Sequence, residues 1–347
     1  MPSLCRHAAR VCLRSASTLN RRPSPVPLQG NPMTRLVFAV ALVAAAGPAA
    51  AEIAVVLNSG DATVSLIDRT TYAEIRRIPV GKEPHHLMQT PDGSELIVAS
   101  AAGNELMYLD VATGAVKRRV PRIDDPYQIG FSPDRKWFVV AALRLNRVDV
   151  YAADGLKLAK RIPLARNPSH IAFDRSSTHV FVTLQESDEI AAIDLATADV
   201  AWRLPIGRQP AGIWMTPDDR HLLVGVMGRD HVAVVDWRAR TVVKRTVTAE
   251  GAHNFRAVGD GRHVLVSNRA ANSISIIDQQ ALAVVDTFPV PGGPDDMEVS
   301  RDGREVWVTN RWARSVSIVD LPGRKVVRTI PVGRSPHGVF FPNAARE

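Results

Sequence analysis

The histidines of this chain fall in step. His85-His86, His170, His253 and His337 each follow, by one or two residues, a position that recurs every 42 residues. Tyr127 and the pair Asp295-Asp296 stand at the same place in other periods. Arg256 and Glu298 come about two residues further on in adjacent periods, and Arg269 and Arg311 form a second in-phase pair. Neutral imidazole ligates metals and titrates near neutrality. A guanidinium clamps carboxylate or phosphate. Together these residues suit a site for an anionic or metal-containing small molecule, with His85, His170, His253 and His337 as the metal-ligating candidates. On an extended backbone adjacent His85 and His86 point apart, so at most one of them joins a given site.

Other chemistries leave no mark. The chain has no G-x-S-x-G, no H-E-x-x-H, no Walker loop and no C-x-x-C-H haem attachment. Its two cysteines, Cys5 and Cys12, lie near the start.

What brings such distant residues together is the repeat. Prolines fall at Pro84, Pro126, Pro168, Pro210, Pro294 and Pro336, and the missing step holds Ala252. Aspartates run in phase at Asp68, Asp110, Asp194, Asp236, Asp278 and Asp320, with Ala152 in the empty slot. Two residue types locked to one period mark a repeat architecture. Each copy reads as four short strands. In the copy that begins at Pro210, an inner strand ends near Met215, and His221–Val226, Val232–Asp236 and Thr241–Val247 follow across turn residues. The expected fold is all-β: a seven-bladed β-propeller with four antiparallel strands per blade. Prolines 79, 121, 163, 205, 289 and 331 fall in the outer strands. Proline cannot donate to a ladder, so it suits a sheet edge. The chain opens with three strands, the first being Ile53–Leu57, and closes with a lone inner strand, His337–Phe341. That last strand should complete the blade that the first three begin.

In such a ring the outer-to-inner loops and the second-to-third loops share one face. Five histidines, Tyr127, Asp295 and Asp296 then meet at one mouth of the central channel. Arg144, Arg147, Arg229, Arg269, Arg311 and Trp312 join them from the second-to-third loops, with Asn58, Asn268 and Asn310 at the loop entrances. A pocket is expected at this mouth, because propeller mouths are concave and wet. His179, His221 and His263 begin second strands on the opposite face and read as surface residues. The Asp68 series should accept turn N–H groups. Trp214, Phe131, Phe173 and Phe341 read as blade packing.

The N-terminus carries an address. Residues 33–51 run from a charged start through an apolar stretch to Ala49 and Ala51, a small-residue cleavage pattern. The apolar run is too short for a membrane span. The mature chain is expected to begin at Glu52 and to be periplasmic or secreted, with no stable membrane insertion after cleavage. Residues 1–32 fit a secretion signal badly, and Met33 is a competing start. Residues 1–51 hold six arginines and no acid, so cleavage takes the net charge from +8 to about +2. The basic balance is thus no argument for nucleic acid. Cleavage also removes both cysteines, and with them any thiol chemistry or disulfide. The domain reading is a presequence at 1–51 and one propeller over 52–347, since 296 residues remain against 294 for seven periods.

At the last full copy the repeat resembles a known pattern. Val306-Trp307-Val308-Thr309-Asn310, Ser317-Ile318-Val319-Asp320 and Val326–Gly333 look like the bacterial YVTN-type β-propeller repeat. Phe181-Val182-Thr183 and Val264–Asn268 are looser copies. That superfamily includes YncE-like periplasmic proteins, the haem d1 propeller of cytochrome cd1 nitrite reductase, surface-layer repeats and propeller subunits of amine dehydrogenases. The resemblance implies the fold and leaves three functions open. One is a non-enzymatic binding or scaffold protein for a small molecule or a periplasmic partner protein. A second is a haem d1-like or divalent-metal-binding propeller, with histidines and Arg269 or Arg311 as its ligands. A third is a metal-dependent hydrolase of lactonase type, for which Asp295, Asp296 and Glu298 are the carboxylates.

Overall fold

A computed structural model describes residues 52–342 and residue 344. The presequence and signal-peptide readings fall outside the described residues. The described residues form seven four-stranded antiparallel sheets, and six of them are sequence-contiguous. The seventh joins Pro336–Phe340 to Ile53–Asn58, Thr63–Asp68 and Glu74–Pro79, as the strand count required. Val339 pairs with Val56, and Phe340 with Val55. Among the described residues the one helical element is the short turn Ser59–Asp61, and no helix is long and apolar enough to cross a membrane.

Burial explains the strand sequences. The second and third strands of each blade are covered on both faces by neighbouring blades. They read accordingly as nearly unbroken apolar runs, such as Leu222-Leu223-Val224 in His221–Val226. Outer strands alternate instead, as in Asp199–Pro205, and each ends at the edge on the proline or valine that closes it. The core is seven clusters, each lying between successive blades, rather than one centre. The aspartate series behaves as its turn position demands. Asp68 Oδ1 accepts from the Thr70 and Thr71 N–H groups at 2.8 Å each, and Asp110, Asp194 and Asp278 repeat the contact. The loop-entrance asparagines are also structural, since the side chains of Asn58 and Asn268 donate to paired hydroxyls (Thr63 and Ser65, Ser273 and Ser275).

Ring closure carries a direct expectation. Removing residues 336–347 deletes the innermost strand of one blade and takes Val339, Phe340 and Phe341 out of two clusters. The thermal midpoint is expected to fall by more than about 10 °C in differential scanning calorimetry. A truncated chain melting within about 2 °C of the intact one would contradict the closure.

Candidate functional site

Each inner strand begins the same way. The residue before it adopts a left-handed backbone: Glu83, Asp125, Asn167, Gln209, Gly251, Gly293 and Ser335 all have positive φ. Next comes a register shift against the second strand. The ladder skips His85 after Pro84, Tyr127 after Pro126, and two residues in each later blade, among them His253-Asn254 and Asp295-Asp296. Bulges re-aim side chains. Here all seven lift the residues after the proline slot out of simple alternation and gather them on the ring axis. Gly212 has no side chain at this level for a reason: a Cβ there would run into the carbonyl of His253.

The gathered side chains make a closed girdle. His337 packs on His85 with ring centroids 3.8 Å apart and planes tilted by 43°, and His85 on Tyr127 at 3.6 Å and 31°. Tyr127 meets His170 edge-on at 6.2 Å, and His170 meets His253 edge-on at 5.2 Å. His253 Nδ1 lies 3.1 Å from Asp295 Oδ1, and His337 Nε2 lies 3.6 Å from Asp295 Oδ2, which completes the circle. Arg269 donates to Asp295 and approaches His253 Nε2 at 2.7 Å, and Arg311 Nη1 reaches Asp295 Oδ2 at 3.2 Å. His85 Nδ1 lies 2.9 Å from the Tyr127 carbonyl, which can only accept, so that nitrogen carries the proton.

Burial sets the charges. His85, His170 and His337 are each 4% exposed, His253 1% and Asp295 0%. Burial holds the imidazoles of His85, His170 and His337 well below their usual titration range, and brings His86 and His253 down to about 4. All five are therefore neutral at pH 7. Burial alone would raise the Asp295 carboxyl, but the Arg269 guanidinium beside it keeps it well below the ordinary range, so it is ionised. Burial pushes the Tyr127 phenol up to about 12.

This corrects one expectation. The histidine-bearing mouth is not an open, wet concavity. Tilted and edge-on rings from the bulged positions fill the channel there, packed so closely that the four histidines and Asp295 are at most 4% exposed. The open space is the channel lumen beyond the girdle, a cavity of about 530 Å³. It runs from His85, His170 and His337 to Gln89, Pro133 and Met215 at the far ends of the inner strands, where Pro133 is exposed. Pro133, Phe173, Trp214 and Met215 also line an adjoining pocket of about 440 Å³ on that turn face. Entry is thus from the face opposite the one the histidines suggested. The adjacent pair His85 and His86 divides as expected, with His85 in the girdle stack and His86 against Gln128 on the lumen wall, 3.5 Å apart.

A model of the YNCE-like beta-propeller matches residues 34–346. The chain belongs to that family. Solved structures similar to this YNCE-like propeller include a protein of unknown function from Desulfotomaculum acetoxidans (TM-score 0.71, 14% identity, 84% of this chain and 98% of that one). Another is dihydro-heme d1 dehydrogenase NirN in complex with DHE (TM-score 0.64, 17% identity, 85% and 76%). A third is hydrazine synthase of Kuenenia stuttgartiensis (TM-score 0.62, 20% identity, 76% and 91%). At these identities the likeness is one of fold. No curated protein sequence matches the chain.

The residues singled out in the YNCE-like sequence separate into two groups. His85, Tyr127, His170, His253, Asp295, His337, Arg269 and Arg311 form the girdle and its outer braces. His86, Arg256, Asp296 and Glu298 face the lumen, where Arg256 donates to Glu298. Asp296 is half-buried, its Oδ1 accepts from the Met297 N–H at 2.9 Å, and burial raises its carboxyl to about 7. Arg144 and Arg147 are structural, pairing with Asp125 and with Asp124 and Asp149. The four candidate metal histidines sit in the stack without converging, and among the described residues no group of three or more His, Cys, Asp or Glu is placed to hold a metal. Asp295 and Glu298 are both engaged by arginines, so the three carboxylates do not share a metal position either. Sequence reasoning passed over Gln128, Asn254, Phe131, Phe173 and Trp214 as site residues, yet all of them line the lumen. Their signal was available: Trp214 shares its repeat slot with Arg256 and Glu298.

Proposed function

We propose that this YNCE-like propeller is a non-enzymatic periplasmic binding protein that holds a small molecule in its lumen. The carrying observation is the blind-ended cavity of about 530 Å³, which lies within the usual size range of small-molecule sites. Its wall supports the same reading. Phe131, Phe173 and Trp214 provide apolar surface, while Gln128, Asn254 and Asp296 provide a few orienting polar groups. The periplasmic location rests on the leader pattern ending at Ala49 and Ala51. A carboxylate-rich macrocycle of haem d1 type does not suit the lumen, whose one arginine is already paired with Glu298 while Asp296 adds a further acid.

The test is ligand-dependent stabilisation. A broad panel of periplasmic metabolites is screened by thermal shift against the full chain and against Ala172→Phe, which fills the lumen. A bound compound is expected to raise the midpoint of the intact chain and leave the filled variant unmoved. Native mass spectrometry of the purified protein reads any ligand that travels with it. If no panel member shifts the midpoint and nothing co-purifies, the binding reading is wrong.

A further inference from the structure

The charged residues lining the lumen are Arg256, Glu298 and Asp296. Arg256 and Glu298 cancel as an ion pair, and Glu298 also accepts the Val299 N–H at 3.1 Å. Asp296 stands differently. Its hydrogen bond comes from a neutral backbone N–H, and among the described ion pairs none includes it. The four imidazoles on the wall, His85, His86, His170 and His337, are held neutral by burial and lend no positive charge. An ionised Asp296 therefore leaves the lumen with one uncompensated negative charge. Trp214, Phe173 and Phe131 face the same space, and aromatic faces attract cations.

We infer that the lumen ligand is a small organic cation, an ammonium group seated at Asp296 with its apolar body against Trp214, Phe173 and Phe131. This rests on the binding reading above and adds the ligand's chemical class. An anion would meet Asp296 and Glu298 with no free cation to receive it. A neutral molecule would leave the negative charge of the lumen unbalanced. The pH dependence has a fixed sign. Burial, Asp295 and Glu298 raise the Asp296 carboxyl to about 7, and Arg256 and the Met297 N–H hold it from rising further. Ammonium binding thus strengthens as pH rises through 7, while His86 stays neutral over that range.

Calorimetric titration of the full chain at pH 8 uses three probes of like shape: 2-phenylethylammonium, 2-phenylethanol and 3-phenylpropanoate. The ammonium is expected to bind about tenfold or more tighter than the alcohol, with the carboxylate weakest. Asp296→Asn is expected to bring ammonium and alcohol within about threefold of each other. Lowering the pH to 6 on the unaltered chain, where the Asp296 carboxyl is already largely protonated and acid unfolding has barely begun, is expected to narrow the gap in the same direction, which covers the case of a variant that folds poorly. Equal binding of ammonium and alcohol, or tightest binding of the carboxylate, overturns the cation inference and leaves the binding reading standing. Absence of binding by all three probes also overturns the cation inference. The metabolite panel then decides the binding reading alone.

Discussion

Lowering the pH from 7 to 4 is expected to unfold the propeller in one steep transition. His85, His86, His170, His253 and His337 titrate below 6.5 in the folded chain, so below that pH the unfolded chain binds more protons at all five. Each such group removes about 1.4 kcal/mol of stability per pH unit until its folded value is reached. Asp296 works the other way. Its carboxyl, raised to about 7 from 3.8, favours the fold as pH falls through 7. Five protons gained on unfolding, less the one Asp296 already carries, give a net uptake of about four. The loss begins as pH falls through 6.5 and grows with each further step down, against a total stability of only about 5–15 kcal/mol for a typical domain. Asp295 does not contribute in this window, because a depressed carboxylate loses its effect only below its unfolded value of 3.8. Guanidinium midpoints measured from pH 8 to pH 4.5 give the slope directly. A stability that stays flat between pH 7 and 5 would mean that the imidazoles are not held neutral.

Replacing Asp295 by alanine is expected to cost about 3–5 kcal/mol at pH 7. The carboxylate is fully buried and is the shared partner of Arg269 and Arg311, with His253 and His337 beside it. Its removal leaves the part-buried Arg269 and Arg311 guanidiniums without the carboxylate they share. The loss should be recovered in part by adding Arg269→Met, since the second change withdraws one stranded charge. Urea unfolding of the single and double variants checks both. If Asp295→Ala falls within about 0.5 kcal/mol of the parent, the girdle is not held by this ion cluster.

The fold was legible in the sequence because a propeller repeats its grammar. The proline, the turn aspartate and the apolar second strand recur every 42 residues, and each is a local requirement of a blade. The closing strand followed from counting three strands at the start and one at the end. The site was legible only in part. The period correctly gathered His85, Tyr127, His253, Asp295 and His337 at one end of the channel. It did not reveal whether they rim that end or fill it. That depends on the bulge after each proline slot and on how four imidazoles and a phenol pack across an axis no local window spans. The lumen wall was missed for a related reason. Trp214, Phe131 and Phe173 do pack on the blade clusters as expected, but they also face the lumen, and a pattern of apolarity does not show the second contact beside the first.

The girdle makes the channel a cup rather than a tube. Whatever enters past Pro133 and Met215 must leave by the same opening, because the far end is sealed by stacked rings and an ion cluster. Vectorial passage along the ring axis is closed to this protein. For the ligand proposed above, exchange would run through a single door, and substitutions in the turn-face loops at its rim would alter residence time without touching the base of the cup.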